Sequence, residues 1–194
     1  MRRSPLLPLL FLSACGSDEE RCTTFVGDPA AAIAVEARML DAAGAATPIT
    51  AGARVPLILP PQGGKVIFAG VRARNLCAGV VQLRGWVRDG DTASSPIVGL
   101  EGRPITLVDG GDGWAYPTEP TQISSYANIP LCPNASSSRD IHEQPYLLTV
   151  RVTDAGERVA ETSATITPYC GEPQDQADCE CTCSEGYVLG STCS

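Results

Sequence analysis

Tyr146-Leu147-Leu148-Thr149-Val150-Arg151-Val152-Thr153 runs into Asp154-Ala155-Gly156-Glu157 and returns through Arg158 to Thr167. In the first segment Tyr146, Leu148, Val150 and Val152 share one face while Leu147, Thr149, Arg151 and Thr153 share the other, the period of two that a half-buried strand shows. The return segment sets Ala160, Thr162, Ala164 and Ile166 against Glu161, Ser163 and Thr165 in the same way. Between them Asp154 to Glu157 supplies the polar and glycine residues of a hairpin connection. The pair reads as an antiparallel hairpin with one apolar face.

The same period recurs upstream. Ile33, Val35, Ala37 and Met39 alternate with Glu36 and Arg38; Ile67, Ala69, Val71 and Ala73 alternate with Arg72 and Arg74; Val81, Leu83 and Val87 alternate with Gln82, Arg84 and Arg88. Turn chemistry separates these runs at Pro60-Pro61-Gln62-Gly63-Gly64, Asp89-Gly90-Asp91 and Asp109-Gly110-Gly111-Asp112-Gly113. No span shows a sustained helical period. Seven or more short strands joined by Gly and Pro turns predict an all-β fold, an antiparallel β-sandwich with a barrel as the alternative.

The segment Tyr146 to Asp154, followed by a strand ending at Thr167, resembles the closing hairpin of bacterial Ig-like and PKD-like surface domains. Trp86-Val87-Arg88-Asp89-Gly90-Asp91 is similar to the tryptophan and Asp-Gly turn of PKD-like repeats. The resemblance implies an Ig-like β-sandwich, placed at 28–169. The roughly 140 residues from Asp28 to Pro168 exceed the roughly 100 of a simple Ig-like domain. Additional loops or strands are therefore expected in 89–96, 109–121 and 131–145.

At the amino end Met1-Arg2-Arg3 precedes the apolar run Leu6-Leu7-Pro8-Leu9-Leu10-Phe11-Leu12 and then Ser13-Ala14-Cys15, the order of an export signal. The run is shorter than the roughly 20 residues that cross a bilayer. Ordinary cleavage after Ala14 would put the bulky Leu12 where a small residue is wanted. Leu12-Ser13-Ala14-Cys15 resembles instead the lipobox of bacterial lipoproteins. That resemblance implies diacylglycerol on the Cys15 thiol, cleavage before it and acylation of the new amino terminus. It also implies a signal at 1–14, a lipidated tether at 15–27 and a place in the bacterial cell envelope, outside the cytoplasm, at the outer membrane or cell surface. Two or three acyl chains hold a protein firmly, at about 0.8 kcal/mol per buried methylene.

Removing residues 1–14 from the 194-residue chain leaves 180 residues, one domain with an appendage. Losing Arg2 and Arg3 lowers the basic count from 14 to 12 against 22 acidic side chains and takes the formal charge from −8 to −10. Lys65 is the only lysine. Such acidity disfavours nucleic acid and anionic lipid surfaces as partners.

With Cys15 assigned to lipid, eight of the nine cysteines remain: Cys22, Cys77, Cys132, Cys170, Cys179, Cys181, Cys183 and Cys193. An even number in an exported chain reads as a disulfide framework, with 105 possible pairings. The composition changes at Cys170, so 170–194 forms a short cysteine-rich tail. Within it Cys181-Thr182-Cys183-Ser184-Glu185-Gly186-Tyr187, followed by Cys193, resembles the last loop of an EGF-like module. That resemblance implies a Cys183–Cys193 disulfide. Cys77 with Cys132 is expected as an internal staple, and Cys22 and Cys170 to join each other or the tail. Zinc or copper(I) on Cys179, Cys181 and Cys183 is disfavoured, because single-residue spacing is tighter than structural zinc sites use and no histidine lies nearby.

Catalytic signatures are absent from the sequence. The only histidine, His142, lies in the polar stretch Arg139-Asp140-Ile141-His142-Glu143, and no Gly-x-Ser-x-Gly elbow, P-loop or dinucleotide fingerprint occurs. No cofactor is expected. The acidic turns at Asp89 and Asp91, and at Asp109 and Asp112, read as solvated glycine turns, with calcium as the alternative. Asn134-Ala135-Ser136 matches a glycosylation sequon, read as chance. Trp86 shares parity with Gln82, Arg84 and Arg88, so unless Gly85 forms a bulge the indole lies on the polar face, where it suits a glycan or a partner protein. The alternative places Trp86 under a second sheet. The chain therefore reads as a non-catalytic binding, adhesion or structural module of the envelope. An envelope enzyme acting on glycans through paired carboxylates is the alternative.

Overall fold

The computed structural model describes residues 22–193 apart from 23, 42 and 91. The signal, the lipobox with Cys15, most of the tether and Asp91 lie outside the described residues. The hairpin pairs β11 (Tyr146–Thr153) with β12 (Val159–Cys170) in antiparallel register from Tyr146 opposite Ile166 to Thr153 opposite Val159. On its other edge β11 takes β7 (Gly79–Arg88), which in turn takes β8 (Ile97–Asp109). β12 takes β4 (Ala53–Leu57) in parallel. Facing this layer, β5 (Lys65–Arg74) pairs with β2 (Ala34–Leu40) and, on its other edge, with β10 (Ala127–Cys132). β3 (Ala46–Pro48) extends β2, and β9 (Ala115–Pro117) bridges β5 to β8, making one ten-stranded ladder. β1 (Phe25–Val26) and β6 (Leu76–Cys77) form a separate two-stranded ribbon. The fold is all-β and mostly antiparallel.

The alternating apolar residues meet in one core. Tyr146, Leu148, Val150 and Val152 pack with Ile67, Ala69, Val71 and Ala73 and with Val81, Leu83 and Val87. The opposite face of β5 is buried as well, since Val66 and Phe68 lie with Leu40, Ile58 and Tyr126 in a second, smaller cluster. Burial on both faces explains why Val66 to Ala69 is an unbroken apolar run. The 131–145 stretch is mostly a loop, 109–121 carries β9, and 89–96 connects β7 to β8.

Two glycines let β10 pack against β7 and β8. A Cβ on Gly85 would stand 2.7 Å from Ile129 Cδ1, and one on Gly99 would stand 2.3 Å from the Pro130 carbonyl oxygen. The second clash is with backbone, which cannot rotate away. Gly99→Ala is expected to lower stability by about 2–3 kcal/mol, the upper part of the range for core overpacking. Gly102→Ala, whose nearest neighbour would be at 3.4 Å, is expected to be tolerated. Denaturant titration of the two variants checks the contrast.

All eight candidate cysteines are disulfide-bonded, as Cys22–Cys77, Cys132–Cys183, Cys170–Cys179 and Cys181–Cys193. Three expectations are corrected. Cys183 does not take Cys193, because Cys179 and Cys183 lie one turn apart on helix α1 (Gln176–Thr182) and its end, both facing inward, while Cys181 turns away. Cys77 does not take Cys132: Cys132 pairs with Lys65 at the start of β5, and Cys77 follows its end. Ten residues of strand separate them by roughly 30 Å. Cys22 joins neither Cys170 nor the tail, because β1 lies beside β6 with Phe25 opposite Cys77.

Cys170 does join the tail. Lys65, 2% exposed, forms ion pairs with Asp175 and, at 3.3 Å, with Asp178, clasping α1 to the start of β5. Backbone hydrogen bonds from Asn134 to Thr182 (2.9 Å) and from Ile141 to Cys183 (2.9 Å) dock the 131–145 loop on the tail.

Candidate functional site

On β7 the residues Leu83, Gly85 and Val87 face the core, so Val80, Gln82, Arg84, Trp86 and Arg88 face outward. No bulge interrupts the strand at Gly85; the register shift falls between Val87 and Arg88. Cross-strand register then builds the outer face. Trp86 stands between Leu100 of β8 and Thr149 of β11, Arg84 between Gly102 and Arg151, and Arg88 between Ile97 and Leu147. Arg84, Trp86, Arg88 and Arg151, with Ile97 and Leu100, line a shallow depression of about 180 Å³. Among the described residues no second sheet covers the indole. It is nonetheless only 9% exposed, because its neighbours close over it, with the Arg151 guanidinium 5.2 Å from the ring centroid.

This face is electrostatically unbalanced. Arg84 and Arg151 are directly opposite on adjacent strands, an arrangement of like charges that destabilises a sheet. Arg151 is held by Glu161 on β12, through Nε and Nη2 at 2.9 and 2.7 Å to one carboxylate oxygen. Arg88 donates to the Ser95 carbonyl at 2.6 Å. Arg84 has no hydrogen-bond or ion-pair partner among the described residues. The indole Nε1–H is buried without an acceptor. An unmade hydrogen bond of this kind costs about 1–3 kcal/mol.

The other tryptophan makes a useful contrast. Trp114 lies under the Arg72 and Arg74 guanidinium groups, at 4.5 and 4.9 Å from its ring centroid. There the charge is neutralised: Arg72 donates to Glu36 at 2.7 Å and to the Tyr116 hydroxyl, which itself donates to Asp112. That bond from Tyr116, with one from the Trp114 amide, draws the Asp112 pKa below the ordinary carboxylate value. Asp112 and Asp109 thus serve as local turn acceptors, Asp109 taking the Gly111 amide at 2.8 Å.

The remaining candidates are occupied by structural bonds. Asp89 accepts the Ser138 amide and hydroxyl, both at 2.8 Å, and Arg139 Nε at 2.9 Å. Burial raises its pKa, but these three donors and the Arg139 charge outweigh it and leave the pKa low. His142 Nδ1 accepts the Cys170 amide at 3.0 Å. The sulfurs of Cys170, Cys179 and Cys183 lie within 4.8 Å of one another, yet each is in a disulfide, so none offers a thiolate to a metal. Asn134 of the sequon is buried and donates to the Arg139 carbonyl.

No family model matches the chain, and no curated protein matches it significantly. The outer-face depression is therefore read on its own chemistry. Arg84, Trp86 and Arg88 share a face by strand parity alone. Arg151, Glu161, Leu100 and Ile97 join them only through the pairing of β7 with β8 and β11, which no local pattern announces.

Proposed function

We propose that the chain is a lipid-anchored, extracytoplasmic and non-catalytic binding module of the bacterial envelope. The observation that carries this is the outer face of β7, where a buried, unpartnered indole N–H lies beside the unpaired Arg84. Desolvated tryptophan and arginine side chains are the residue types that dominate binding energies. Four disulfides fit an oxidising compartment outside the cytoplasm. Among the described residues no helix is long and apolar enough to cross a membrane. The lipobox ending at Cys15 supplies the anchor, and the hairpin from Tyr146 to Thr167 supports the Ig-like reading. A glycan-cleaving enzyme would need two carboxylates free to face its substrate. Glu36, Asp89, Glu101 and Asp154 are each engaged by an arginine, which takes these four out of that role.

Two measurements test the reading. Labelled fatty acid is expected to be incorporated by the native chain and lost in Cys15→Ser, with release from membranes. Labelling that survives the substitution removes the anchor. Capture of envelope material by the detergent-solubilised chain is expected to fall at least tenfold in Trp86→Ala and stay unchanged in Trp114→Phe. Equal capture by all three forms removes the binding face.

A further inference from the structure

We infer that the outer-face depression is a subsite for one acidic sugar residue, its carboxylate or sulfate held by Arg84 beside the Trp86 ring. This rests on the binding-module reading above and names the ligand class. The depression collects three guanidinium groups against the single carboxylate of Glu161, in a chain whose formal charge is −8. An anion seated there would offset the like charges of Arg84 and Arg151. Charge-assisted bonds of this kind are roughly twice as strong as neutral ones. Because Glu161 already holds Arg151, that side chain stays over the indole and positions it, while Arg84 stays free to reach the ligand.

The surroundings favour a sugar over a peptide. β7 is paired on both edges, so no backbone N–H or C=O of this strand is open to the strand addition from which extended peptides draw affinity. Gly102 leaves space beside Arg84. Leu100 and Ile97, 40% and 44% exposed, offer an apolar wall to the ring carbons. At about 180 Å³ the depression is smaller than the roughly 300–1,000 Å³ of pockets that enclose drug-sized ligands. It suits one residue of a longer chain lying across an open sheet.

Tryptophan emission reads the site directly, since the chain has two tryptophans and Trp114→Phe leaves Trp86 as the sole reporter. The full chain in detergent is titrated with an oligogalacturonate, a sulfated glucan oligomer, a neutral glucan of equal length and oligoglutamate of equal charge. A saturable change with one of the two acidic glycans is expected, the tighter one naming carboxylate or sulfate, and at least tenfold weaker binding of the neutral glucan and of oligoglutamate. Arg84→Gln is expected to weaken the acidic glycan at least tenfold while leaving Tm unchanged or higher, because it removes one of two opposed like charges. Equal or tighter binding of oligoglutamate or the neutral glucan overturns the inference, as does an Arg84→Gln variant that binds normally. If every oligomer fails while envelope capture still depends on Trp86, the ligand class is wrong and the binding module stands. If capture is also indifferent to Trp86, both fall.

Discussion

Asp154→Ala lowers the unfolding free energy by about 3 kcal/mol at neutral pH, the lower end of the cost of breaking a buried pair. The Asp154 side chain is wholly buried at the hairpin turn and accepts five hydrogen bonds. Oδ1 takes the Gly156 and Arg158 amides at 3.0 and 2.9 Å; Oδ2 takes the Cys77 amide at 3.1 Å and Arg158 Nε and Nη2 at 3.1 and 2.8 Å. Arg158 also donates to the Asn75 carbonyl and lies 5.1 Å from the Phe25 ring centroid. One carboxylate thus joins the β11–β12 turn to β6 and β1. Truncation strands the Cys77 amide, while Arg158, partly exposed, recovers water and keeps the loss near the low end.

The same group sets an acid limit. Burial raises the Asp154 pKa, but the Cys77 amide and the Arg158 contacts prevail and leave it below the ordinary value. With a folded pKa below the unfolded value of about 3.9, its stabilisation is fully present above that pH and is lost as pH falls through the folded pKa. Asp89 acts in the same direction. Denaturant midpoints are expected to hold from neutral pH to about 4 and then drop, and Asp154→Asn is expected to flatten that drop.

The second large effect concerns the tail. Replacing Cys132 and Cys183 together by alanine is expected to cost about 4 kcal/mol, against about 2.5 kcal/mol for Cys170 and Cys179, on the chain-entropy relation for their loops. The sequence separations are 51 and 9 residues. Both bonds are buried at the same place, so the comparison isolates loop length from burial. Equal losses, or the reverse order, would show that local packing of α1 governs its attachment instead of the cross-link.

The hairpin was legible because one face is buried and one is solvated, which prints the strand period on the sequence. The strand β8 was not. Its inner face carries Gly99, Glu101 and Arg103 before the buried Ile105 and Leu107, and its outer face carries exposed Leu100 and Val108, so no clean apolar alternation runs along it. Helix α1 has seven residues, too few to show a period, and it is held by disulfides and the Lys65 clasp more than by an apolar stripe. Its turn decides that Cys179 and Cys183 point together, which residue spacing alone could not reveal. At the candidate site, parity alone grouped Trp86 with Arg84 and Arg88. Arg151 lies more than sixty residues away in sequence, and only strand pairing brings it over the indole.

The two indole N–H groups give separate proton–nitrogen resonances, and one of them lies within the binding face. On adding solubilised envelope polysaccharide to the labelled full chain, the Trp86 resonance is expected to shift as an anion arrives beside the Arg84 and Arg151 guanidinium groups, while that of Trp114 stays in place. A Trp86 resonance that stays fixed while envelope material binds elsewhere on the chain would contradict the account.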